Sequence, residues 1–145
     1  MTTHIIRAAA VFSLLISFAA VTADAQSRRL IKADIPFSFQ LKDTVHTAGE
    51  YLIEKAAPTA ENRAVILRRK TGESIGMVNM LPLKGNGKPA GSAPLLIFNQ
   101  YGSTRVLSEI HAPSEGFYGR IRKTKKETEL AQTFGEPKLT TIVAK

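Results

Sequence analysis

Leu30-Ile31-Lys32-Ala33-Asp34-Ile35-Pro36-Phe37-Ser38-Phe39-Gln40-Leu41 is the stretch that decides the fold. Ile31, Ala33, Ile35, Phe37, Phe39 and Leu41 share one face of an extended chain, and Leu30, Lys32, Asp34, Pro36, Ser38 and Gln40 share the other. A two-residue rhythm sustained this long predicts a half-buried β-strand over residues 30–41. Pro36 has no N–H to give to a ladder, so the strand belongs at an edge or carries a bulge there.

Working outward, the same pattern returns at short intervals. Residues 43–49 read as a turn, and Glu50-Tyr51-Leu52-Ile53-Glu54 as a second strand. Pro58 and Asn62 mark 57–63 as a loop. Residues 64–70 form a third strand, closed by the hairpin signal Thr71-Gly72. A fourth strand covers 74–83, with Ile75, Met77 and Leu81 on one side and Val78 and Met80 on the other, which predicts burial of both faces. After the long connection 84–94, further strands are expected at 94–100, 104–111 and 117–122. Thr124-Lys125-Lys126-Glu127 fits a capping box. Leu130, Ala131 and Phe134 continue at helical spacing until Gly135 and Pro137 end the helix. Residues 138–144 add a last short strand. The expectation is an all-β fold, an antiparallel sandwich or small barrel of about seven to eight strands with one short C-terminal helix.

Upstream the chain changes character. Met1 to Arg7 carries one positive charge and no acid, and Ala8 to Val21 is uncharged. Ala23-Asp24-Ala25 then offers the small-x-small pattern that signal peptidase subsites admit. The apolar run is 14 residues, short of the ~20 that a permanent membrane helix needs. Residues 1–25 therefore read as a signal peptide, 26–145 as one β domain without a membrane span, and the destination as periplasmic or extracellular. The sequence contains no cysteine, which excludes a lipoprotein anchor and any disulfide, so the core alone must hold the fold. Cleavage would remove Arg7 and Asp24 together, leaving the net charge of +8 on the domain. Such an excess favours anionic partners.

Ala33-Asp34-Ile35-Pro36-Phe37-Ser38-Phe39, then Ala48-Gly49-Glu50-Tyr51, then Leu96-Ile97-Phe98 with Tyr101-Gly102 together resemble a group of small exported proteins of soil bacteria that share IPF-x-F, AGEY and F-x-x-Y-G segments and a charged C-terminal helix. The resemblance implies architecture and export, and it brings no functional residue with it.

His46 and His111 stand far apart, and Glu109 with His111 supplies two ligands on one strand face where a catalytic zinc usually takes three, so no metal or cofactor is expected. His46 falls in a turn and reads as solvated. Ser108 lies on the opposite face from Glu109 and His111, which disfavours a triad, and no G-x-S-x-G elbow occurs. Glu50 and Glu54 share one strand face and are the carboxylate pair worth inspecting for acid–base chemistry, although a solvent-facing strand explains them as well. Residues 85–90 imitate a glycine-rich phosphate loop, but prolines and a strand follow where a helix is needed. No catalytic residue is assigned.

The strongest signal apart from the fold is basic. Arg120, Arg122, Lys123, Lys125 and Lys126 place five cations in seven residues, a candidate anion-binding cluster for carboxylates or phosphates of an envelope polymer, or simply a solvated face. Export makes nucleic acid the least favoured partner. The leading expectation is a non-enzymatic exported domain acting by binding or structural association. An alternative is a carrier of a small apolar ligand in a β-barrel pocket, with Met77 and Met80 lining it. The third is a hydrolase whose Glu50, Glu54, Glu109 and His111 would have to meet in one cleft.

Overall fold

The structure is a computed structural model that describes residues 30–57, 63–83 and 91–145. The expected signal peptide, residues 26–29, the centre of the 57–63 loop and most of the 84–94 connection lie outside the described residues.

The described residues form ten strands: β1 (Ile31–Ile35), β2 (Phe39–Leu41), β3 (Thr44–His46), β4 (Gly49–Lys55), β5 (Ala64–Arg69), β6 (Ser74–Leu81), β7 (Leu95–Tyr101), β8 (Thr104–Ala112), β9 (Phe117–Ile121) and β10 (Lys138–Val143). One α-helix, α1 (Lys125–Phe134), stands between β9 and β10. The expected β content and helix are present. The strand count is ten rather than seven to eight, because one expected strand is split and one expected turn is a strand. Pro36 splits the long opening strand, sending β1 to pair with β4 and β2 to pair with β3 and β8. Thr44–His46 in the expected turn folds back as β3, opposite β2.

Strand order runs β1-β4-β5-β6-β9-β8, with β7 and then β10 continuing from β8, and β2-β3 branching from its other edge. The sheet is mixed, because β2 meets β8 in parallel at Gln40 and Val106. Its two ends approach each other: Lys32 and Lys145 exchange both backbone hydrogen bonds, at 2.7 and 2.8 Å. No ladder joins β1 to β10 among the described residues, so the sheet stays open and the small barrel is not formed.

One core fills the inside of the curve. Ile31, Ile35, Ile53, Leu67, Leu96, Phe98 and Ile110 are buried in a single cluster drawn from both halves of the sheet. The decisive stretch explains why. As the backbone turns through Pro36, Phe37 and Phe39 both reach Phe98, with ring centroids 5.2 and 5.6 Å away, and Phe39 also meets the Tyr51 ring edge-on at 5.2 Å. Edge-to-face contacts of this kind add about 0.5–1.5 kcal/mol each beyond the area they bury. The fourth expected strand is corrected in one respect. In β6, Val78 and Met80 are buried and Ile75 is half-buried against the core, but Met77 is 53% exposed, so the second face is covered only in part and Met77 lines no interior pocket.

Candidate functional site

Where β6 meets β9 the ladder has two residue pairs, Met80 with Ile121 and Leu81 with Arg120. Gly119 makes this junction possible. A Cβ there would stand 2.6 Å from the Leu81 carbonyl oxygen and 3.0 Å from Met80 Cβ, so no other residue fits without moving backbone. Beyond Ile121 the pairing ends and the chain peels away as Arg122-Lys123-Thr124 towards α1, leaving Val78 and Asn79 of β6 facing a gap. The gap is a cleft of about 420 Å³ lined by Lys42, Val78, Asn79, Leu81, Ile121, Arg122, Lys123 and Thr124.

Three cations thus converge on one opening, and its lining contains no acid among the described residues. Arg122 and Lys123 belong to the basic cluster expected from sequence. Lys42 comes from the β2–β3 turn, some eighty residues upstream. Leu41 sets its position by packing closely over Gly76 of β6, where a Cβ would lie 3.1 Å from the leucine Cδ2. Lys42 has φ 56°, a left-handed conformation that glycine or asparagine adopts more readily. A lysine therefore occupies a position where a smaller residue would relieve the backbone, and it lines the cleft.

The remaining cluster residues disperse. Lys125 and Lys126 are exposed on the first turn of α1. Arg120 stands half-buried on the outer face of β9, paired across the ladder with Glu109, and its Nε has no hydrogen-bond partner. The sequence-level cluster is thus divided by the fold: two residues line the cleft, two flank it on the helix, and one sits elsewhere on the sheet.

Helix α1 fixes the Lys123 wall. Thr124 Oγ1 accepts the Glu127 N–H at 3.2 Å, as a capping box requires. The Glu127 side chain does not return to the cap. Only 4% exposed, it accepts from Asn99 Nδ2 at 2.9 Å and from the Tyr101 hydroxyl at 3.3 Å. Lys123 Nζ in turn donates to that hydroxyl at 3.4 Å. The helix is thereby pinned to the outer face of the β7–β8 hairpin at its first turn. At its last turn the Phe134 ring lies over Gly102, where a Cβ would come within 2.9 Å. Tyr101-Gly102 therefore serves the helix as well as the hairpin.

The other candidates separate. Glu50 and Glu54 do share a face of β4, but each meets a cation. Glu54, 4% exposed, accepts from Arg68 Nε at 2.8 Å, and Glu50 accepts from Lys70, whose pKa is raised by that hydrogen bond and by the carboxylate's charge. Glu109 and His111 share a face of β8 and are joined at 2.7 Å. Four strand steps separate β8 from β4, about 19 Å along the sheet at ~4.8 Å each, so these acids and His111 do not meet in one cleft. Ser108 sits at a bulge of β8 opposite Ile97 and Phe98, and its hydroxyl donates to the Ile97 carbonyl at 2.9 Å. His46 is not solvated in a turn. It is 7% exposed in β3 and tilted against Phe39 with centroids 5.6 Å apart. Its pKa is lowered by burial and by the Arg69 charge, partly offset by Glu73. No three potential metal ligands cluster among the described residues.

No protein-family model, curated protein or solved structure matches the chain. The functional reading therefore rests on the geometry and the sequence themselves.

Proposed function

We propose that this protein is an exported, non-enzymatic binding domain that holds an anionic group in the cleft between β6, β9 and the start of α1. The observation that carries the reading is the convergence of Lys42, Arg122 and Lys123 on a lining free of acids among the described residues. Cations brought together with no carboxylate in the lining repel one another, and an anion relieves that repulsion; Lys123 is the most tied of the three, because its ammonium donates to the Tyr101 hydroxyl bound to Glu127. Arginine contributes a planar fork suited to carboxylate or phosphate oxygens, and the two lysines contribute point charges. Export rests on the leader-like residues 1–25 and on the resemblance to small exported β-proteins.

Titration with pyrophosphate, followed by backbone amide shifts, tests the reading. Shifts are expected at Lys42, Asn79 and residues 122–124, shrinking as salt is raised from 20 to about 300 mM because the Debye length shortens several-fold. The triple variant Lys42→Ala/Arg122→Ala/Lys123→Ala should lose at least tenfold in affinity, and Lys125→Ala/Lys126→Ala distinctly less. Equal losses in the two variants, or shifts confined to other faces, would refute it.

A further inference from the structure

The cleft has a second chemical character besides charge. Val78, Leu81 and Ile121 line it beside the three cations, with Asn79 and Thr124 completing the wall. Val78 and Ile121 belong to the core cluster and are buried, so they close the floor of the cleft, and half-buried Leu81 is the apolar side chain that its opening offers. A polyanion would use the charges and leave that surface wet. A small inorganic ion would leave most of 420 Å³ unfilled. That volume lies within the range of about 300–1,000 Å³ of small-molecule sites, which combine an apolar lining with a few placed polar groups.

Resting on the anion-binding reading above, we infer that the cleft receives one small amphipathic anion: a phosphate or carboxylate carried on an alkyl or aryl body. The anionic head lies against Arg122, Lys123 and Lys42. The body lies against Leu81, over the floor that Val78 and Ile121 close, in the gap where the β6–β9 ladder opens. Asn79 and Thr124 supply neutral hydrogen-bonding groups between the two ends. The ligand's source is either free in solution or a lipid with the same head and chain.

A chain-length series separates this inference from the reading beneath it. Calorimetry with ethyl, butyl, hexyl and octyl phosphate, each below its micelle concentration, should show affinity rising with chain length and a gain of at least tenfold from ethyl to octyl. Leu81→Ser should flatten the series, costing octyl phosphate more affinity than ethyl phosphate. Asn79→Asp, at an exposed position that tolerates polar change, should weaken every member by adding a negative charge to the cleft. Vesicles containing phosphatidic acid that displace octyl phosphate would point to a lipid source, and their failure to compete would point to a free ligand; both are consistent with the inference. Ethyl and octyl phosphate binding equally well would overturn the inference and leave the anion site standing. Polyphosphate binding that depends mainly on Lys125 and Lys126 would also overturn it. Absence of binding by every phosphate would remove both.

Discussion

Two charged surfaces of the same sheet are organised in opposite ways. On β4, β5 and the turn that follows, Arg68, Arg69 and Lys70 each meet a carboxylate: Glu54 at 2.8 Å, Glu73 at 3.4 Å and Glu50. At the cleft, Lys42, Arg122 and Lys123 line one opening without an acid among the described lining. Local sequence does not separate the two, since both regions carry clustered cations. What separates them is register. Antiparallel pairing places Glu54 diagonal to Arg68, within reach across the ladder, whereas at the cleft the ladder has ended and no strand brings a partner. Paired charges fix strands in place. Cations that converge where pairing stops have no strand partner, which is why the proposed reading assigns them an anion from outside.

The largest effect is expected where the ladder stops. Gly119→Ala forces a Cβ to 2.6 Å from the Leu81 carbonyl oxygen, and overpacking against backbone costs about 1–3 kcal/mol. The midpoint of urea unfolding should fall accordingly. Hydrogen exchange should quicken first at Met80, Leu81, Arg120 and Ile121, leaving β4 and β5 protected. Equal loss of protection at both surfaces would show that the two regions are not mechanically separate.

A pair of arginine substitutions sharpens the contrast next. Arg68→Ala withdraws a hydrogen-bond donor from the buried Glu54 carboxylate. Arg68 is itself one-third exposed, so water partly replaces it, and the expected cost is about 1–2 kcal/mol. Arg122→Ala removes an exposed cation from among like charges and should change stability by less than about 0.5 kcal/mol, while anion affinity falls. Thermal unfolding of the two variants reads the difference directly. A destabilisation by Arg122→Ala matching that of Arg68→Ala would make the cleft cations structural and break the comparison.

The paired surface and the cleft were unequally legible in the sequence. Strands such as β1 and β4 declare themselves because apolar residues recur every second position and one face is buried. Pro36 announced an interruption, yet Phe37 and Phe39 keep the apolar rhythm through the corner, so the pattern continues while the backbone changes partners. β3 is three residues long, too short to show a period, and its turn-like composition concealed His46. Arg122 and Lys123 were visible as a basic run. Lys42 was not, because only the β2–β3 turn, held by Leu41 over Gly76, brings it to them. Glu127 was readable as a cap residue through its spacing from Thr124. Its partners Asn99 and Tyr101 lie 28 and 26 positions upstream, and nothing local connects them.

The smallest effect concerns a charge that neither surface accommodates. His46 lies buried in β3 beside the paired region, and its Nε2 has no hydrogen-bond partner. Burial first, and the Arg69 guanidinium second, hold its pKa below 6.5, with Glu73 opposing them. Between the folded pKa and 6.5 the unfolded chain therefore binds more protons than the folded one at this site. Stability contributed by neutral His46 is present above pH 6.5, declines as pH drops through that window, and levels off below the folded pKa. His46→Gln keeps a polar side chain of similar reach without the titration, so the difference in unfolding free energy between wild type and variant should shrink on going from pH 7.5 to pH 5. Arg69→Gln should raise the His46 pKa and narrow the window, which nitrogen shifts of the imidazole would report. A difference that stays constant with pH would mean that His46 keeps its unfolded pKa. The paired surface would then have room for a further cation beside Arg69, and its charges would be less closely matched than the geometry implies.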